Sequence, residues 1–200
     1  MKKTWLPCIW ILLAALLATV APAPSSMAAE EPPIEYVSFR LGVYSPQHNE
    51  MSDYKEGING ELYYGYYFRK HIIFELGIGY FNTESNANPP GSISLDVLDI
   101  QYNVKATVHL GPVELYGGPG IALYYAKATY ETFGEESDWE GGYGYGLVAG
   151  ANLDLSKEWF AGIEGKYLWA KIDDPLLPTS GNLSAHIDGL TGTLVLGYRF

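Results

Sequence analysis

The chain has 200 residues, a formal net charge of −11 and 18% charged residues, which fits one folded domain and argues against long disorder. The acidic balance argues against a nucleic-acid binder, which needs basic surface to displace counterions. The single cysteine, Cys8, excludes a disulfide framework and a cysteine-based zinc site, and 23 Gly with 17 Tyr points to tightly packed β structure.

The first element is an export signal. Lys2 and Lys3 precede an apolar run over residues 9–20, which is too short to span a bilayer comfortably. Ser26-Met27-Ala28 supplies small residues for cleavage after Ala28, with Ala29 as the near alternative. Losing Lys2 and Lys3 takes the 12 basic residues to 10 against 23 acidic, a mature net charge of −13. The mature domain, residues 29–200, has no cysteine and no apolar run of the ~20 residues a membrane helix needs.

Period-two alternation then runs through the mature chain and predicts eight strands. They cover residues 36–44, 61–69, 73–81, 98–110, 113–126, 143–155, 159–170 and 187–200. In 98–110 the even positions are all apolar, from Leu98 to Leu110, and the odd ones all polar, from Asp99 to His109. Pro119 interrupts the fifth strand, and a bulge is expected over Gly117–Gly120. Tight connections near residues 69–71, 110–112 and 156–158 alternate with long ones near 45–59, 82–94, 129–141 and 172–185. An up-and-down barrel with both termini on the short-turn side produces this order.

Alternation alone leaves open which face is inside. A periplasmic, lipocalin-like binder would put its apolar face inward. Three features favour a membrane barrel with its apolar face outward. The polar face is rich in glycine, which suits the cramped centre of an eight-stranded barrel better than a water-facing strand. Aromatic residues crowd the strand ends: Tyr63, Tyr64, Tyr66, Tyr67, Tyr124, Tyr125, Tyr143, Tyr145, Tyr167 and Trp169 toward the long loops, and Phe68, Phe74, Trp159, Tyr198 and Phe200 toward the short turns. The third feature is the last strand, which ends on Phe200.

That ending, TLVLGYRF, with Leu194, Leu196, Tyr198 and Phe200 at alternate positions, resembles the C-terminal signature of outer-membrane barrels. FRLGVYSP, FELGIGYF and VELYGGPGIAL resemble the small bacterial OmpA-like and OmpW-like eight-stranded barrel domains. The resemblance covers the mature chain. It implies an all-β, antiparallel up-and-down transmembrane β-barrel in the outer membrane of a Gram-negative bacterium. It further implies recognition by the barrel-assembly machinery and contact with outer-membrane lipids and lipopolysaccharide. It says little about activity, because such folds host adhesins, transporters, enzymes and structural proteins.

The candidate chemistry lies inside. Arg40, Glu75, Asp99, Lys105, Glu114, Glu164, Lys166 and Arg199 all fall on the inward face, and buried charges need partners. An internal charge network is expected, either as a polar plug filling the lumen or as a gate whose ion pairs rearrange to pass small solutes. Ser184, His186 and Asp188 stand two apart and would share a face near the outer rim. A lipid A-modifying acyl-transfer site there is one alternative, and a polar strand end is the plainer one. Glu131, Glu135, Glu136, Asp138 and Glu140 make the third long loop acidic, without EF-hand spacing for a calcium site. The other histidines, His48, His71 and His109, are scattered and no pair has metal-ligand spacing, so no metal site is expected. Gly144, Gly146 and Ala149 match a dinucleotide pattern in letters only, inside an alternating strand, and no cofactor is expected. The function expected is non-enzymatic: envelope structure, surface interaction, or limited passage of a small solute. OmpW-like transport of small hydrophobic compounds is the first alternative.

Overall fold

The computed structural model describes residues 35–85, 93–130, 135–136, 139–173 and 184–200. The export-signal reading therefore lies outside the described residues. The main strands are β1 (Glu35–Pro46), β2 (Gly57–Arg69), β3 (Ile72–Glu84), β4 (Ile93–Leu110), β5 (Val113–Tyr130), β7 (Glu140–Asp154), β8 (Trp159–Asp173) and β10 (Gly189–Arg199). Two short ribbons, β6 (Glu135–Glu136) on β5 and β9 (Ser184–His186) on β8, extend two of the long connections. Among the described residues, no helix is long and apolar enough to cross a membrane.

Each main strand pairs antiparallel with its neighbour in sequence, and β10 returns to pair with β1 from Tyr36↔Arg199 to Pro46↔Gly189. The eight main strands thus close into a barrel in which each is paired on both sides, so the wall has no free edge. Three short turns join β2 to β3, β4 to β5 and β7 to β8. The turn between β4 and β5 uses Gly111 at φ 65°, a conformation that favours glycine.

The apolar face points outward. Phe39, Leu41, Leu62, Leu76, Ile78, Ile121, Ile163 and Leu194 are all exposed. Leu194, Leu196, Tyr198 and Phe200 are exposed with them. Ser38, Arg40, Glu61, Glu75, Gln101, Asn103, Lys105 and Glu164 are buried in the lumen. That polarity excludes the lipocalin-like alternative. Glycine on the inner face makes room for inward rings: a Cβ on Gly77 would lie 2.4 Å from the Tyr63 ring.

Several expectations need correction. The strands run further toward the long loops than the alternation suggested, to Gly57 in β2, Ile93 in β4 and Tyr130 in β5. The expected bulge over Gly117–Gly120 is absent. β5 keeps one register with β7 from Val113↔Leu153 to Ala126↔Glu140, and the same register with β4 on both sides of Pro119. Pro119 lacks an N–H, so the β4 ladder loses pairs there without a slip. At Gly118 a Cβ would lie 1.9 Å from the Val104 carbonyl oxygen, so the backbones approach too closely for a side chain. The bulge that does exist lies at Phe68, between Tyr67↔Ile73 and Arg69↔Ile72.

The lumen is also not polar throughout. Toward the long loops its filling becomes apolar: Tyr44, Met51, Phe81, Leu95, Val97, Ala126, Ile172 and Ile187 pack together, with Tyr44 stacked on Phe81 at 4.2 Å. At the same height the outer wall turns polar. Asn82 donates to Ser94 Oγ at 3.0 Å and to Asp96 Oδ1 at 2.9 Å, and Glu84 and Lys171 are exposed. Inside-out polarity suits lipid, and ordinary polarity suits water. The inversion marks where the wall leaves the bilayer.

The aromatic distribution changes with it. Tyr66 and Tyr67 lie beside the short turn after Arg69 rather than near the long loops, and Tyr63 and Tyr124 are buried in the lumen. Alternation allows only half of a tyrosine run to face lipid. The outward belts are Tyr143, Tyr145 and Trp169 toward the long loops, with Tyr145 and Trp169 stacked at 5.5 Å. Trp159, Tyr198, Phe68 and Phe74 form the other belt toward the short turns.

Candidate functional site

The centre of the lumen holds a closed ring of four charges. Arg40 from β1 donates to Glu75 Oε1 at 2.5 Å through Nη2, and to Glu164 Oε1 at 2.7 Å through Nη1. Lys105 from β4 binds the second oxygen of each carboxylate, Glu75 Oε2 at 2.6 Å and Glu164 Oε2 at 2.7 Å. All four side chains are at most 2% exposed. Two cations and two anions balance, which is the condition under which buried charge is tolerable.

Inward aromatic and amide side chains hold the ring in place. The Tyr36 hydroxyl donates to Glu75 Oε1 at 2.6 Å, and Asn103 Nδ2 donates to Glu75 Oε2 at 3.3 Å. The Arg40 guanidinium lies 3.7 Å from the Tyr63 ring centre, and the Lys105 ammonium 4.3 Å from that of Tyr116. Both cations therefore sit on ring faces as well as against carboxylates.

Two further groups flank the ring. Lys166 binds Glu61 and donates to Gln101 Oε1 at 2.8 Å, while Gln101 Nε2 donates to Asp99 Oδ1 at 2.8 Å. Toward the short turns, Arg199 binds Asp154 at 2.7 Å and Glu114 at 3.5 Å. Glu114 also accepts from the Tyr67 hydroxyl at 2.7 Å and from Asn152 at 3.1 Å. His109 Nε2 lies 3.5 Å from the same carboxylate.

All eight charges singled out in the sequence face inward, but they form three groups rather than one. Arg40, Glu75, Lys105 and Glu164 make the ring. Asp99 and Lys166 belong to the second group, Glu114 and Arg199 to the third. Glu61 was missed as a member, although its place opposite Leu62 in the alternation of residues 61–69 carried the signal. Tyr36, Tyr63, Tyr67 and Tyr116 were missed as ligands of the network; the sequence reading puts Tyr63 and Tyr67 in the membrane belt.

At the outer rim, Ser184 pairs with Asp173 through the backbone, and its side chain lies outside the described residues, as do Glu131 and Asp138 of the acidic loop. The histidines are less scattered than their positions in the sequence suggest. His48 and His186 stack with ring centres 4.7 Å apart, and Asp188 stands beside them. Their spacing in the sequence gives no sign of this grouping. The closure of β10 on β1 carries His186 to the connection that follows β1, a proximity that spacing cannot reveal.

An apolar outer wall, aromatic belts at both margins and an ion-paired centre define a transmembrane β-barrel of the bacterial outer membrane. The chain belongs to the outer membrane protein beta-barrel domain family, whose sequence profile matches residues 11–200. A comparison with curated proteins gives no match. Among solved structures, the fold is similar to Neisserial surface protein A, at 15% identity and a TM-score of 0.53, covering 84% of this chain and 96% of that one. It is similar to OprG from Pseudomonas aeruginosa, at 15% identity and a TM-score of 0.56, covering 84% and 95%. It is also similar to Ail of Yersinia pestis, solved with the heparin analogue sucrose octasulfate, at 14% identity and a TM-score of 0.50, covering 84% and 97%. These likenesses establish a shared fold.

Proposed function

We propose that the protein is a sealed, non-enzymatic barrel that anchors a surface-interaction end in the outer membrane. The observation that carries this reading is the two-layer filling of the lumen. The Arg40–Glu75–Lys105–Glu164 ring occupies the middle, and the Tyr44–Phe81 layer closes the outer end. An eight-stranded wall encloses a space just wide enough for side chains, and both layers use it up. The gate reading needs the ring to open and the apolar layer to part together. OmpW-like passage of hydrophobic compounds needs an apolar cavity, and the charged middle layer counts against one. The acidic mature chain disfavours polyanionic ligands such as the one bound by Ail.

In this reading residues 1–28 are removed on export, Leu194, Leu196, Tyr198 and Phe200 address the chain to the barrel-assembly machinery, and the outer wall contacts lipid and lipopolysaccharide. Purified protein in a planar bilayer tests the seal. No steady conductance is expected. Discrete openings that disappear in Glu75→Ala would replace the scaffold with a gated pore. Lipid A of altered mass on overexpression would replace it with an enzyme.

A further inference from the structure

We infer that His48, His186 and Asp188 form a surface site for a late first-row divalent transition-metal ion, with zinc as its natural representative. One ligand atom from each residue lies within 4.8 Å of the other two, and all three side chains are partly exposed to the outside. His186 Nδ1 stands 4.0 Å from Asp188 Oδ1.

The three residues come from two separate pieces of chain that the fold fixes against one another, His48 on one and His186 with Asp188 on the other. His48 follows Gln47, whose N–H donates to the Asp188 carbonyl at 2.9 Å, and the His48 carbonyl accepts from Met51 N–H at 2.9 Å in the 3-10 turn Asn49–Met51. Met51 is buried in the apolar layer. Between the other two ligands, Ile187 is fully buried, its N–H donates to the Ala170 carbonyl at 3.0 Å, and its carbonyl accepts from the Tyr44 hydroxyl at 2.8 Å. Asp188 Oδ1 accepts from Ala170 N–H at 2.9 Å, which orients the carboxylate. The backbone frame is thus set before any ion arrives.

The donor set selects the metal. Two imidazoles and one carboxylate suit zinc, copper or nickel, whereas calcium and magnesium require mostly oxygen. Bond lengths of 2.0–2.2 Å place neighbouring ligands of a tetrahedral ion about 3.3–3.5 Å apart, so the side chains must draw inward. Imidazole lone pairs lie in the ring plane. Rings stacked at an interplanar angle of 20° must therefore rotate apart for both to reach one ion. Binding exchanges the ring stack for coordination and leaves a fourth position open to water or a further ligand. The ion would cross-link the connection after β1 to the segment between β9 and β10, at the seam where the barrel closes.

The test uses the untagged, folded full-length protein in detergent micelles, titrated with Zn²⁺ and, separately, with Ca²⁺ and Mg²⁺, by calorimetry. One saturable Zn²⁺ site is expected. His48→Gln and His186→Gln should each weaken it at least tenfold, while His71→Gln leaves it unchanged. Cu²⁺ bound to the unmutated protein provides a readout independent of any variant's folding, and its electron paramagnetic resonance spectrum should show coupling to two nitrogens. The inference is overturned by no saturable Zn²⁺ uptake, by equal affinity for Ca²⁺, by unchanged affinity in His48→Gln and His186→Gln, or by a Cu²⁺ spectrum with fewer than two nitrogens.

Discussion

Replacing Glu164 with Gln keeps the size of the side chain and removes one of the two negative charges in the central ring. Arg40 and Lys105, each 2.7 Å from Glu164, are left sharing Glu75 alone, so the sealed centre carries one uncompensated positive charge. Breaking a buried ion pair from one side costs about 3–5 kcal/mol. Lys105→Met leaves the opposite imbalance and should cost a similar amount. The double variant returns the ring to a neutral Arg40–Glu75 pair. If the two sites were independent it would lose about 6–10 kcal/mol, but charge restoration should return roughly 2–3 kcal/mol of that sum. Urea unfolding in lipid vesicles, followed by tryptophan fluorescence, measures all three variants on one scale. Single losses below about 1 kcal/mol, the range of exposed pairs, would show that water reaches the ring. Strict additivity would refute the claim that the four residues act as one unit.

Two further substitutions test the wall. Leu194 is 70% exposed and lies beside Leu41 and Ile163 on the outer face, so Leu194→Arg should destabilise the vesicle-embedded barrel by about 2–4 kcal/mol; an unchanged urea midpoint would mean that this face does not meet lipid. Gly118→Val forces a side chain against the Val104 carbonyl and should abolish the heat-modifiable, folded band on a denaturing gel, whereas a folded Gly118→Val barrel would show that β4 and β5 can separate at that point.

Most of the wall could be read from the sequence because one rule governs it. Lipid outside and a crowded centre inside impose strict alternation, and β4 from Leu98 to Leu110 follows it without exception. The rule fails where the outside changes from lipid to water. The change is visible as adjacent pairs of apolar residues at which the phase flips, Tyr80-Phe81 and Val97-Leu98. A reading that assumes one exterior takes such pairs for the ends of strands. The inward charges were legible one by one from the same alternation. Their division into a ring and two flanking groups depends on stagger between strands, which alternation does not encode. The pairing of His48 with His186 depends on the closure of β10 on β1, which leaves no mark in local spacing.

The reversal of polarity near the outer end also sets a height. The part of β4 beyond the flip, Ile93 to Val97, adds five residues, or about 17 Å along the strand and about 13 Å along the membrane normal at a typical tilt. This section is a collar with an apolar core of its own, which raises the ends of the strands above the lipid-facing wall. A macromolecule arriving from outside the cell meets protein before it meets membrane.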